Sequence, residues 1–277
     1  MPSNNSNKRN IENKSISTSY PDLALHREKF LILAKTMPVL SRKYRELVCT
    51  VGISETGKLI RLYPVDFRYM DFDRRYAKYQ WVEMEIEKNM KDYRIDSYRP
   101  NVRSIRPIGT PLSTNKGWQK RKELVLPLIS ASLEEIEKHK KDGPTLGIFK
   151  PRKISFKAEK TNESWDENKM AILKQGILIG PKTKSLEKIP FKFSYQFECN
   201  NPKCKGHNLV IIDWEIGELY RAMKKKFAYS MDLVLDKMKE MWEKKMWSGE
   251  RDSYLIVGTQ QPFATFMVLG VFWPPKL

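Results

Sequence analysis

A chain of 277 residues, 40% of them hydrophobic, can bury one large core or two ordinary ones. Its 51 lysines and arginines outnumber 33 aspartates and glutamates, for a net charge of +18. Repulsion on that scale works against compactness, so a polyanionic partner, nucleic acid foremost, is the expectation. The three cysteines, Cys49, Cys199 and Cys204, are too few and odd in number for a disulfide scaffold. The longest apolar run, Phe266 to Trp273, is far short of the roughly twenty residues of a membrane span. The opening residues lack the apolar stretch of a signal peptide, and no lipidation pattern is seen, so a reducing, cytoplasmic setting is expected.

Residues 1–28, rich in Asn, Ser and Lys, read as a disordered basic tail. From residue 29 to 130 the texture is that of strands. Phe30 to Ala34 is a short apolar run. Leu47 to Ile53 and Leu59 to Tyr63 flank Ser54-Glu55-Thr56-Gly57, a link suited to a hairpin. Trp81 to Lys88 alternates Val82, Met84 and Ile86 against Glu83, Glu85 and Glu87, the period of a half-buried strand with an acidic wet face. These segments predict a small antiparallel sheet or a partly open barrel. Arg94, Arg99, Arg103, Arg106, Lys116, Lys120, Arg121 and Lys122 crowd the end of this region, with Trp118 among them. Cationic groups neutralise phosphates and aromatic faces stack on exposed bases, which makes this stretch the candidate nucleic-acid surface, for DNA or RNA alike.

Residues 131–184 read as a connecting region. Ser132 followed by Glu135 fits a capping box that opens a short helix ending at Asp142-Gly143. Short strands are expected at Thr145 to Phe149 and Ile154 to Phe156, and an exposed loop over residues 158–169. The last part, 185–277, reads as β-hairpin, long helix, β-hairpin. Phe191, Phe193, Tyr195 and Phe197 form one face of a strand, and Leu209 to Trp214 follows as a second. Ile216, Leu219, Tyr220, Met223, Phe227, Met231, Leu235, Met238 and Trp242 then recur at helical spacing and predict one helix of about 30 residues, ended by Gly249. Tyr254 to Val257 and Phe266 to Phe272 close the chain. The fold class is therefore α+β.

Two constellations carry chemistry. Cys199, Cys204 and His207 sit at the tip of the first of these hairpins, where thiolate and imidazole ligands can converge on zinc. A fourth ligand is wanted: Cys49, His139, a nearby carboxylate or water. A closed site would be structural, and a site with an open position catalytic. Lys203 and Lys205 at the same tip join the candidate phosphate contacts. Asp213-Trp214-Glu215 stands where strand hands over to helix. It reads first as a helix cap with a carboxylate on the positive end of the dipole. Alternatively, Asp213 and Glu215 hold Mg²⁺ or Mn²⁺ in a metal-dependent nuclease. A third reading is an interaction subunit that docks on a nucleoprotein or an acidic protein. The run Phe191 to Cys199, Cys204-Lys-Gly-His207 and Asp213-Trp-Glu215, together with Gly270-Val-Phe-Trp-Pro-Pro-Lys276, resembles an uncharacterised prokaryotic protein family. That resemblance implies no fold, activity or ligand.

Overall fold

The computed structural model describes residues 24–43, 45–141, 143–179, 185–260 and 265–276, with side chains except over 174–179. Most of the expected tail, residues 1–23, lies outside the described residues, but His26 to Glu28 already belong to a strand. The N-terminal half contains β1 (His26–Lys35), β2 (Val39–Ser41), β3 (Arg45–Ser54), β4 (Leu59–Val65), β5 (Trp81–Lys88), β6 (Ser97–Pro100) and β7 (Arg106–Ile108). β1, β3 and β4 form an antiparallel meander. β6 lies parallel to β4 and antiparallel to β5, and β5 returns to pair with β1 from Leu31↔Trp81 to His26↔Ile86. The five strands β1, β3, β4, β6 and β5 thus close into a barrel, where the sequence had predicted a sheet or a partly open one. A meander whose last two strands come back to close on the first is a Greek-key barrel of the OB kind.

The apolar run of β1 follows from this closure. Phe30 and Ile32 point inward to Ile60, Leu62, Val82, Met84, Ile86 and Tyr98. Leu31 and Leu33 face outward, yet they are fully buried too, with Val51, Ile53 and Leu59 beside them. What covers them comes from the C-terminal half. That half contains α1 (Asn115–Val125), β8 (Ile129–Ser130), α2 (Leu133–Lys138), β9 (Leu146–Phe149), β10 (Arg152–Lys160) and α3 (Glu167–Ile179). It continues through β11 (Phe191–Glu198), β12 (His207–Val210), α4 (Trp214–Lys226), α5 (Met231–Lys239), β13 (Tyr254–Gln260) and β14 (Thr265–Phe272). A four-stranded sheet in the order β14-β13-β9-β8 lays Leu146, Ile148, Ile256, Leu269 and Phe272 on the barrel's outer face. A three-stranded sheet, β10-β11-β12, packs its aromatic face, Phe193, Tyr195 and Phe197, against Tyr220, Met238 and Trp242.

Residues 131–184, read as a connecting region, contribute β9 to the sheet of the closing hairpin. Two expectations need correction. Residues 158–169 are not one loop: β10 runs to Lys160 and α3 begins at Glu167. The 30-residue helix is broken. Phe227 leaves helical geometry at φ −122° and ψ 42°, and the Ser230 hydroxyl accepts the Leu233 N–H to start α5, which runs on into a π-helical turn over Glu240–Lys245. The apolar period survives the break, which is why periodicity alone did not reveal it; the capping serine was the local signal. Among the described residues no helix is long and apolar enough to cross a membrane.

The shared outer face yields a test. Leu33→Ala should cost about 2–5 kcal/mol in urea unfolding, as for a buried core leucine. A cost within about 0.5 kcal/mol, typical of exposed sites, would show that the second sheet does not cover the barrel.

Candidate metal centre and aromatic groove

The hairpin tip gains the fourth ligand it lacked. Cys199 directly follows β11, Cys204 lies in the turn, His207 opens β12, and Glu134 from the first turn of α2 meets them. Their four ligand atoms all lie within 4.8 Å of one another. Glu134 reaches this place because Ser132 caps α2, accepting the Glu135 N–H. The sequence predicted that cap but named the carboxylate only by kind. Cys49 and His139 are not in the group. Cys49 sits on β3 in the barrel, and His139 is exposed at the end of α2.

The surroundings suit a cation. Leu133 N–H donates to Cys199 Sγ at 3.4 Å, and Cys204 Sγ accepts from Cys199 N–H at 3.2 Å and Gly206 N–H at 3.4 Å. Gly206 can present that N–H because it stands at φ +85°, a conformation that favours glycine. His207 Nε2 is 3.0 Å from Glu134 Oε1, while Glu134 Oε2 is buried without a partner. Burial pushes the Cys199 thiol up to about 12. Burial alone would raise Glu134, but hydrogen bonds from the Ser132 hydroxyl, its own N–H and the His207 ring bring it down to about 2. Two thiols, an imidazole and a carboxylate are a zinc-type donor set. The spread is wider than the roughly 3.8 Å that two thiolates keep at about 2.3 Å from a tetrahedral zinc, so small side-chain movements would seat the ion. Four protein donors leave no open position for a substrate.

Asp213 caps α4 as expected. Its Oδ1 accepts the Glu215 N–H at 2.9 Å, and Oδ2 is buried without a partner. Glu215 is held by Lys78 Nζ at 2.7 Å. The positive charge beside both carboxylates is therefore an ammonium group. Burial works to lower Lys78, and the carboxylates of Glu215 and Asp213 outweigh it and raise it. Burial also pushes Asp213 up to about 7, and lowers the neighbouring Lys35 to about 8. Nothing in this arrangement favours a bound Mg²⁺ or Mn²⁺ over the cap and the ion pair.

Around this junction two clefts meet. One, of about 750 Å³, is walled by Trp118, Trp214, Trp273 and Tyr79, with Lys78, Arg121 and Met241 among the lining. Arg121 stacks 4.1 Å from the Tyr79 ring centroid and 4.6 Å from that of Trp118, and Trp118 meets Trp273 edge to face at 5.9 Å. Trp118 is turned there by an unusual backbone, Lys116, Gly117 and Trp118 standing in succession at φ 49°, 60° and 65°. The other cleft, of about 380 Å³, is lined by Phe67, Arg68, Arg75 and Arg221 together with Glu187 and Glu218; Arg68 is paired with Glu46 and Arg221 with Glu218. Trp214 and Glu218 line both, so the two adjoin along α4.

The remaining predicted contacts divide. Arg94 is buried and paired with Asp92 through Nε at 2.8 Å and Nη2 at 2.6 Å, so it is a structural residue and no surface phosphate contact. Lys122 donates to the Pro275 carbonyl at 2.8 Å, and Arg106 pairs with Glu83 at 2.6 Å. Arg99, Arg103, Lys116, Lys120, Lys203 and Lys205 are exposed, but only Trp118 and Arg121 of the predicted set line the groove. Sequence reasoning missed Arg75, Lys78, Tyr79 and Trp273, and did not group Trp214 and Arg221 with them. They come from three separate segments, and only half-burial of the tryptophans marks them.

In class, the molecule is a mixed α+β protein with a Greek-key barrel, a second sheet across it and a group of residues able to hold a metal ion. The chain belongs to the family described as a domain of unknown function, DUF8757, which matches residues 129–277. Residues 26–127 match a second domain of unknown function, DUF8758. Membership of an uncharacterised family, as expected from the sequence, is thus shown; the match carries no organism. No curated protein matches the chain.

The Asp213 environment predicts a pH dependence. In the fold Asp213 holds its proton to about pH 7, and in the unfolded chain only to about 4. Its contribution to stability is full below pH 4 and is lost as pH rises to about 7. Asp213→Asn keeps an oxygen for the cap and should flatten that part of the stability–pH curve. Urea unfolding at steps between pH 4 and 7.5 measures it, and a variant that falls as steeply as the parent contradicts the assignment.

Proposed function

We propose that this chain binds nucleic acid, with unpaired bases stacked in the Trp118–Trp214–Trp273 cleft and phosphates met by Arg75 of the adjoining one. The observation that carries this reading is the groove itself: half-buried tryptophans beside stacked Arg121 in a chain of net charge +18. Base–aromatic stacking tolerates any base, and guanidinium groups beside it supply the phosphate attraction. Arg75 supports the phosphate side because, among the described residues, its guanidinium meets only the carbonyls of Met70 and Arg68, each at 3.1 Å. The barrel supports it less directly. The middle strands of such barrels commonly carry oligonucleotides on their outer face, but here the second sheet covers that face. DNA and RNA offer the same stacking surface, and the groove distinguishes neither.

In the same reading, zinc is held by Cys199, Cys204, His207 and Glu134 as a structural ion. It ties the β11–β12 hairpin to α2, and its charge would favour the thiolate form that burial opposes.

Titration with fluorescent single- and double-stranded DNA and RNA at several salt concentrations tests the main reading. Single strands should bind best, with affinity falling steeply as salt rises. Trp118→Ala or Trp273→Ala should each weaken binding by about 5- to 100-fold, the equivalent of one lost base stack. No affinity for any of the four at low salt overturns the proposal. Co-purification of a stoichiometric protein in that case would favour an interaction subunit.

Metal analysis tests the second part. Purified protein should carry about one zinc per chain, and Cys204→Ser or Glu134→Gln should reduce it. Chelation should lower the melting temperature without creating or abolishing a hydrolytic activity. A metal content indifferent to both substitutions would refute the assignment.

A further inference from the structure

A second cavity lies away from the groove, between the barrel and the second sheet. It measures about 150 Å³ and is lined by Arg61 of β4, Cys49 of β3, Thr36, Arg94, and Gly258 and Thr259 of β13. Arg61 is 3% exposed. Its Nη2 donates to Thr145 Oγ1 at 3.1 Å and its Nη1 reaches Cys49 Sγ at 3.8 Å, but Nε has no partner. Among the described residues Arg61 forms no ion pair. Its backbone N–H donates to the Asp96 carbonyl at 2.7 Å, but the Asp96 carboxylate meets the guanidinium through the Thr145 hydroxyl and is already engaged by the N–H groups of Thr145 and Leu146. Arg94, by contrast, is neutralised by Asp92 and adds no net charge. The Thr259 hydroxyl, 2% exposed, is also without a partner.

A guanidinium taken out of water with open donors is costly, and so is a buried hydroxyl with nothing to bond. Both lie in the wall of one cavity. The backbone is shaped to bring them there: a Cβ on Gly258 would stand 3.1 Å from Arg61 Nη2 and 2.7 Å from side-chain carbons of Leu146 and Leu269. Glycine at 258 lets β13 pass close over the guanidinium. We infer that this cavity is a binding site for a small oxyanion, a phosphate or carboxylate group held by Arg61 and the Thr259 hydroxyl. Val39, Leu47, Ile212 and Leu269 make part of the wall apolar, beside Tyr63 and Gln260, so a few carbon atoms attached to the anionic group would also be accommodated. The space exceeds the roughly 30 Å³ share of one water and falls short of the roughly 300 Å³ at which pockets for drug-sized ligands begin. The site shares no lining residue with the two clefts of the proposed base-stacking groove and is independent of it.

The experiment is calorimetric titration of the full chain with inorganic phosphate, sulfate and acetate, at constant ionic strength made up with chloride. Alongside it, the alkylation rate of Cys49 is read by peptide mass spectrometry. At least one of the three should bind saturably and slow alkylation of Cys49, which lines the cavity. Phosphate or sulfate binding would point to a phosphoryl-bearing ligand, and acetate binding to a carboxylate. Arg61→Gln should abolish both effects. Because that variant can also fail to fold, Thr259→Val is the second arm. Removing an unpartnered hydroxyl should leave the melting temperature equal or higher, while anion affinity falls by at least about fivefold. Lack of saturable binding by all three anions, binding without protection of Cys49, or affinity unchanged in Thr259→Val each overturns the inference.

Discussion

The structure depends on burying both faces of the same strands. A closed five-stranded barrel ordinarily needs only an apolar interior, and its outer face can remain wet. Here Leu31, Leu33, Val51, Ile53 and Leu59 point outward and are buried by the sheet that β13 and β14 bring from the other end of the chain. The two family-matched regions are therefore joined by a continuous core as well as by sequence. That contact also decides where a ligand can bind. It removes the middle strands of the barrel from the surface and leaves the seam between the halves, where both the groove and the Arg61 cavity lie.

Electrostatics divides the basic residues more sharply than composition does. The acidic face of β5 is not bare: Arg27 meets Glu83 and Glu85, and Arg106 meets Glu83. Arg68 is committed to Glu46 and Arg94 to Asp92. Much of the positive charge thus serves the fold, and the excess is spread over exposed lysines and a few arginines. What marks the groove is less its count of cations than the kind of cation, guanidinium groups lying on or beside aromatic rings. Such groups are weakly hydrated and lie flat on aromatic faces, and Arg121 is held in that place by donating its Nε–H to the Leu112 carbonyl at 2.8 Å.

The sequence was legible where a single local rule governs. Period-two alternation placed β5 at Trp81–Lys88 and β11 at Phe191–Glu198 with the observed bounds. Capping chemistry placed Ser132 and Asp213 at the starts of α2 and α4. It failed where two rules agreed by accident, as when the apolar stripe ran unbroken through the Phe227–Ser230 interruption. It could not see convergence from afar. Glu134 lies 65 residues before Cys199 in sequence, and Trp118 and Trp273 are brought together only by the seam. Short spacings such as Cys199-x4-Cys204-x2-His207 are readable because a hairpin forces its own neighbours together; a groove assembled from four segments has no such constraint.

The metal centre and the groove are linked through the three-stranded sheet. Cys199 directly follows β11, the strand whose Tyr195 hydroxyl bonds the Trp242 carbonyl and accepts the Trp247 Nε1–H at 3.2 Å. Trp242 and Met241, on the π-helical turn, form one wall of the aromatic cleft. A cation fixing the end of β11 against α2 would therefore act on the groove without touching a ligand, by holding the strand on which that wall rests. On the proposed reading this explains why a site with four protein donors accompanies a binding surface elsewhere. The ion would add to the packing of Tyr195, Met238 and Trp242, which already holds that wall.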